Sequence, residues 1–162
     1  MSDYPTGILA AGAQVPDFDL PSTHSGRQSL HDLKGKPAIL VFYPGDFTPV
    51  CGDQLSLYNE VLPLFDEFNA QLLGISVDNI DSHHAFATDR NLAFPLLCDD
   101  DPLGETARRY GVFDEQRQTT ERALFVIDGE GTIQWSHLSP HSVNPGADGI
   151  LAALEGMKAT AR

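Results

Sequence analysis

Apolar and polar positions along the chain change their spacing several times, and each change marks a new element. Residues 17–20 alternate polar and apolar, which predicts a short strand, and 28–30 return as its hairpin partner across the turn-rich stretch 22–27. Residues 37–43 form an apolar run that stops at Pro44-Gly45, the pattern of a strand buried on both faces. Beyond it Leu55, Tyr58, Leu62, Phe65 and Phe68 recur every three or four positions, as on one face of a helix. Pro63 lies inside that helical pattern and, lacking an N–H, predicts a kink or interruption there. Further strands are predicted at 71–77, 94–97, 123–127 and 132–137, the last two joined as a hairpin by Asp128-Gly129-Glu130-Gly131. Helices are predicted at 82–90, at 102–110 with Gly111 as its stop, and at 146–157. Strands alternating with helices, then a hairpin and a closing helix, predict an α/β fold: a central mixed β-sheet flanked by helices, with an N-terminal β-hairpin extension.

Composition narrows the picture. A chain of 162 residues without repeat, low-complexity tract or linker suits one domain spanning 1–162, and 41% apolar residues can build its core without staples. Acidic residues outnumber basic ones 23 to 10, for a formal charge of -13. Such a surface repels phosphate backbones and anionic lipid, so neither nucleic acid nor membrane is an expected partner. The short apolar stretch 8–11 lacks a basic leader and does not read as a signal peptide, which makes the cytoplasm the expected address. Two cysteines are too few for a secreted disulfide framework.

No metal pattern stands out. His83 and His84 are neighbours at a helix start, point in different directions, and are expected on a solvated face. His137 and His141 flank Pro140 without a carboxylate or Cys at ligand spacing, and Asp99-Asp100-Asp101 reads as a helix cap, not a calcium loop. Trp135 and Phe47 read as core residues before interface ones.

The chemistry concentrates where the buried run 37–43 meets the long helix. Thr48 is a good N-cap and Pro49 suits the first helical position. Cys51 then falls in the first turn, where free N–H groups and the helix dipole favour a thiolate and make the thiol more acidic than a free one. The Thr48 hydroxyl is expected to reach either the Cys51 backbone N–H or a group bound beside the sulfur. Pro44 and Pro49 stiffen and shield the site. Asp46 and Asp53 oppose the thiolate if they lie close to it, so a cation must offset them.

The series Pro44, Thr48 and Cys51, at this spacing after an apolar strand, resembles the active-site motif of the peroxiredoxins. The likeness runs from about Val15 to the closing helix and points to a one-Cys type. The resemblance implies a thioredoxin-like fold and reduction of hydrogen peroxide or organic hydroperoxides through a sulfenic acid at Cys51, with no metal, flavin or other cofactor. It also implies a homodimer paired through loops around the site. The family's active-site Arg stands just before a strand, the place of Arg122; from the residues alone Arg122 would be an exposed strand-end cation. Gln54 stands where the family often carries a polar residue that braces that Arg, and an exposed helical Gln is the other reading.

Cys98, the second cysteine, matches no resolving position of the family. It is either a core residue or a thiol that resolves the sulfenic acid after local unwinding. The first reading leaves recycling to an external thiol, from a thioredoxin- or glutaredoxin-like protein or a small molecule. A disulfide reductase of thioredoxin type is disfavoured because Cys51-Gly52-Asp53-Gln54 lacks a second Cys. A peroxide sensor without multiple turnover stays open, and a Cys–His hydrolase is a remote option since no His lies beside Cys51 in sequence.

Overall fold

The computed structural model describes residues 4–24 and 26–160; the predicted turn at 22–27 includes residue 25, which lies outside the described residues. A first hairpin pairs β1 (Asp19–Ser22) with β2 (Gly26–Ser29). The sheet continues through β3 (Ala38–Phe42), β4 (Gln71–Ser76) and β5 (Leu96–Cys98), and closes with β8 (Arg122–Ile127) and β9 (Ile133–Ser139). Its spatial order is β2-β1-β5-β4-β3-β8-β9. Strands β3, β4 and β5 run parallel, and β8 and β9 are antiparallel to their neighbours, so the sheet is mixed as predicted.

Every residue of β3 and β8 is buried because both lie inside the sheet with packing on two faces. Ile39 and Val41 face one core with Cys51, Leu55, Tyr58, Phe86 and Ile150. Ala38, Leu40 and Phe42 face the other with Ala107, Tyr110 and Phe125. Each such aliphatic burial contributes about 1.5–3 kcal/mol. Helices α1 (Pro49–Glu60), α2 (Leu62–Asp66), α3 (Ile80–Arg90) and α5 (Asp148–Thr160) supply the first core, and α4 (Glu105–Arg109) the second.

Several boundaries depart from the sequence pattern. The interruption expected at Pro63 falls at Val61, which ends α1 and caps α2, with Pro63 in the first turn of α2. The helix expected from 102 begins only at Glu105, because Asp99 reaches forward to accept the N–H groups of Thr106 (2.9 Å) and Ala107 (2.9 Å). Asp99 is thus a cap, as expected for the acidic run, and burial raises its carboxyl to about pKa 6 despite those bonds. A small hairpin of β6 (Phe113–Asp114) and β7 (Thr119–Thr120) was not predicted, since strands of two residues show no periodicity. Among the described residues no helix is long and apolar enough to cross a membrane.

Candidate active site

The carboxyl ends of β3 and β4, the start of α1 and the start of β8 meet at one end of the central strands, and the motif residues lie there. Thr48 has extended backbone and Pro49 opens α1, so Cys51 sits in the first turn as expected. The Thr48 hydroxyl does not cap Cys51: it donates to Gly45 O at 3.2 Å, and Thr48 is exposed. Its O accepts the Gly52 N–H at 2.9 Å, the first bond of the helix. Cys51 is completely buried.

Arg122, the first residue of β8, is 2% exposed, which removes the reading of an exposed strand-end cation. Its Nη1 donates to Gln54 Oε1 at 2.7 Å and reaches Cys51 Sγ at 3.4 Å. Nε and Nη2 both donate to the His141 carbonyl, at 3.2 and 2.7 Å. Both edges of the guanidinium are thereby fixed, and one N–H is aimed at the sulfur. Burial, with Arg117 nearby, lowers the pKa of the His141 ring, so near neutral pH it adds no second cation there.

Gln54 is fully buried, so its exposed reading is also corrected. One turn into α1, its Nε2 donates to Tyr58 Oη at 3.1 Å, and that hydroxyl donates to Gly146 O at 2.9 Å. Burial pushes Tyr58 up to about pKa 12 even with Gln54 and Arg122 opposing, so it serves as a neutral donor. Tyr58 was expected only as a core residue; its role in the chain from Arg122 to Gly146 depends on contacts far apart in sequence.

Asp53 and Asp46 do not press on the sulfur together. Asp53 is exposed at 3.9 Å from Arg90, whose guanidinium lies against Gly52, where a side chain would collide with it. The Asp46 carboxylate is turned into a buried cluster with Tyr43, Ser82 and His83. His83 was expected on a solvated face, but it is fully buried, because α3 lays this position against β5. Its Nδ1 meets Asp46 Oδ2 at 2.8 Å and its Nε2 meets Leu97 O at 2.8 Å. Burial opposes charge on the ring, but Asp46 and the adjacent Cys98 outweigh it and raise His83 to about pKa 10.

A group held above its unfolded value of about 6.5 stabilises the fold fully below that pH and loses the contribution as pH rises through its folded value. The unfolding free energy from urea titration is therefore expected to decrease as pH rises from about 6.5 to about 10, with a slope of at most about 1.4 kcal/mol per pH unit from this group. His83→Gln should flatten that slope; an unchanged slope in the variant would show that other groups cause it.

Cys98 ends β5 opposite Ser76 and is 2% exposed, and both cysteines are free thiols. Phe47 was expected in the core, yet it is 55% exposed and takes a positive φ of 62°. Trp135 is half-buried and stacks on His137, leaving His137 and His141 in different roles.

A sulfur beside a fixed guanidinium in the first turn of a helix can attack an electrophilic atom while charge on the atom it displaces is stabilised. Comparison with known proteins fits that chemistry. A family model described as the AhpC/TSA family matches residues 11–136. The chain is 31% identical to peroxiredoxin 2 of Thermoplasma acidophilum over 153 residues, 91% of this chain and 75% of that protein. It is 36% identical to alkyl hydroperoxide reductase E of Mycobacterium tuberculosis over 132 residues, 81% of this chain and 86% of that one. The crystal structure of peroxidoxin BcpB from Mycobacterium tuberculosis superposes with a TM-score of 0.82 at 30% identity, covering 92% of this chain and 98% of that one.

Proposed function

The chain belongs to the AhpC/TSA family and is a thiol-dependent peroxidase of thioredoxin-like fold, and from that premise we propose that Cys51 is the nucleophile that attacks the peroxide. The observation that carries this reading is the Arg122 Nη1–Cys51 Sγ distance of 3.4 Å in a fully buried setting. The Cys51 thiolate attacks one oxygen of ROOH. The S–O bond forms as the O–O bond breaks, and RO⁻ leaves and takes a proton to give ROH. Cys51 is left as a sulfenic acid, having supplied the two electrons.

Arg122 steadies charge on the sulfur and on the departing oxygen, and Gln54 holds Arg122 in place from the side. Pro44 and Thr48 shape the slot beside the sulfur, with the Thr48 hydroxyl free to exchange Gly45 O for the peroxide.

The cycle is one-Cys in type. Cys98 is buried at the end of β5 against the His83 ring, a position that suits packing. An external thiol attacks the sulfenic sulfur, releases water and forms a mixed disulfide, and a second thiol frees Cys51. A thioredoxin- or glutaredoxin-like protein and a small thiol are the candidate reductants. The working form is a cytoplasmic homodimer, a reading supported by family analogy and by the exposed Phe47 beside the motif.

A steady-state peroxidase assay against a panel of reductants, with intact-mass measurement after one equivalent of peroxide, tests the cycle. The expected product gains one oxygen or an external thiol adduct. Loss of two hydrogens would instead mean a disulfide between Cys51 and Cys98 and would overturn the one-Cys reading.

A further inference from the structure

We propose that Asp46 and His83 are positioning residues of the peroxidase site: a buried ion pair that fixes the loop carrying Pro44 and Thr48 relative to Cys51. The proposal rests on the reading of Cys51 as nucleophile. Between the end of β3 and the start of α1 the chain crosses the site, held to the sheet by the Tyr43 N–H, which donates to Ile75 O at 3.1 Å. The Asp46 side chain, 1% exposed, anchors this crossing from beneath. Its Oδ1 accepts from Tyr43 Oη at 2.7 Å, and its Oδ2 accepts from Ser82 Oγ at 2.8 Å and His83 Nδ1 at 2.8 Å. The Asp46 N–H donates to Asp78 Oδ2 at 2.8 Å, and that oxygen also accepts from Ser76 Oγ at 2.6 Å. The loop is thus tied to β4 and α3 through one residue, and its Tyr43 carbonyl accepts the Thr120 hydroxyl.

The partners of His83 define its charge. A backbone carbonyl only accepts, so Nε2 must carry hydrogen toward Leu97 O; an ionised carboxylate only accepts, so Nδ1 must carry hydrogen toward Asp46. The ring is an imidazolium paired with a carboxylate. The other titratable groups facing it are Tyr43 at the end of β3, Asp78 after β4 and Cys98 on β5.

The pair acts on geometry. Phe47, directly after Asp46, holds a left-handed φ of 62° that a bulky residue disfavours, with its ring on Phe86 at a centroid distance of 5.2 Å. That conformation persists only while its flanks are held. Releasing Asp46 lets the loop relax, carrying Pro44 and Thr48 away from the sulfur without touching Arg122.

The test compares two reactions of one sulfur. The rate of Cys51 oxidation by hydrogen peroxide and the rate of its alkylation by iodoacetamide, mapped by mass, are measured at one pH and well below each variant's melting temperature. Asp46→Asn and His83→Gln are each expected to slow peroxide oxidation about 10²-fold while alkylation changes less than about threefold, because alkylation needs the sulfur but not an O–O bond held in line with it by Pro44 and Thr48. The double variant should be no slower than the worse single one, as for residues acting as a unit. Ser82→Ala, which removes one donor and keeps the pair, should show a smaller loss of the same selective kind and serves if the others fail to fold. Equal losses in both reactions, or an unchanged peroxide rate, would overturn the positioning role. A wild-type protein whose Cys51 does not react with peroxide would overturn the nucleophile assignment instead.

Discussion

Cys51→Ser is expected to bring peroxide reduction down to the rate of the reductant and buffer alone, a loss on the order of 10⁶-fold. The exchange of sulfur for oxygen is small in volume, so the packing of this position against the core beneath α1 survives, and the melting temperature should move by only a few degrees. What is lost is the nucleophile. A serine hydroxyl is far less acidic than a thiol, and neither the first turn of α1 nor the guanidinium of Arg122 ionises it near neutral pH. Its oxygen also has no counterpart to the sulfenic acid that the cycle needs. Peroxide consumption, intact mass after peroxide and a thermal melt together check the expectation. A folded variant with wild-type turnover would end the assignment, and turnover carried by Cys98 would then show as oxygen added at that residue.

The parts of this site that the sequence revealed are those encoded locally. The apolar run before Pro44 predicts a buried strand, and Thr48-Pro49 predicts a helix start; together they place Cys51 in a first turn without knowledge of any distant contact. Arg122 was reached differently, since its place before a strand marks it only through family likeness; nothing local distinguishes it from the other arginines. The chain Gln54–Tyr58–Gly146 and the His141 carbonyl that seats Arg122 were invisible, because a backbone carbonyl carries no residue signature and these partners come together only through packing of α1, α5 and β8.

His83 was misread for a physical reason of general force. A polar residue early in a helix is most often solvated, and only its burial against β5 with Asp46 and Leu97 O turns it into a buried cation. The signal was available in principle: Asp46 sits in a loop otherwise rich in proline and apolar residues, and an acid there demands a partner.

Arg122→Lys is expected to slow the peroxide step by about 10²–10³-fold, equivalent to roughly 2.7–4 kcal/mol in the barrier. Lysine keeps the positive charge, but its ammonium is a single point. It cannot contact the His141 carbonyl on one side and both Gln54 and Cys51 on the other, as the guanidinium does at 2.7, 2.7 and 3.4 Å. Arg122→Ala is the less informative change, because it leaves Gln54 Oε1 and His141 O without a donor in a buried space and costs stability as well as rate. The Lys variant separates two roles that both follow from the geometry. If Arg122 only favours the thiolate, alkylation of Cys51 by iodoacetamide and its oxidation by peroxide fall by the same factor. If it also meets the charge that grows on the departing oxygen, oxidation falls further than alkylation, since only oxidation expels an oxyanion there. The second pattern is expected: Nη1 has one N–H engaged by Gln54 and the other directed at the sulfur, from where it can follow the negative charge as it passes from the sulfur to the departing oxygen. Oxidation at the wild-type rate in a folded Lys variant would mean that position 122 supplies charge alone, and the fork that its three partners hold would have no part in the chemistry.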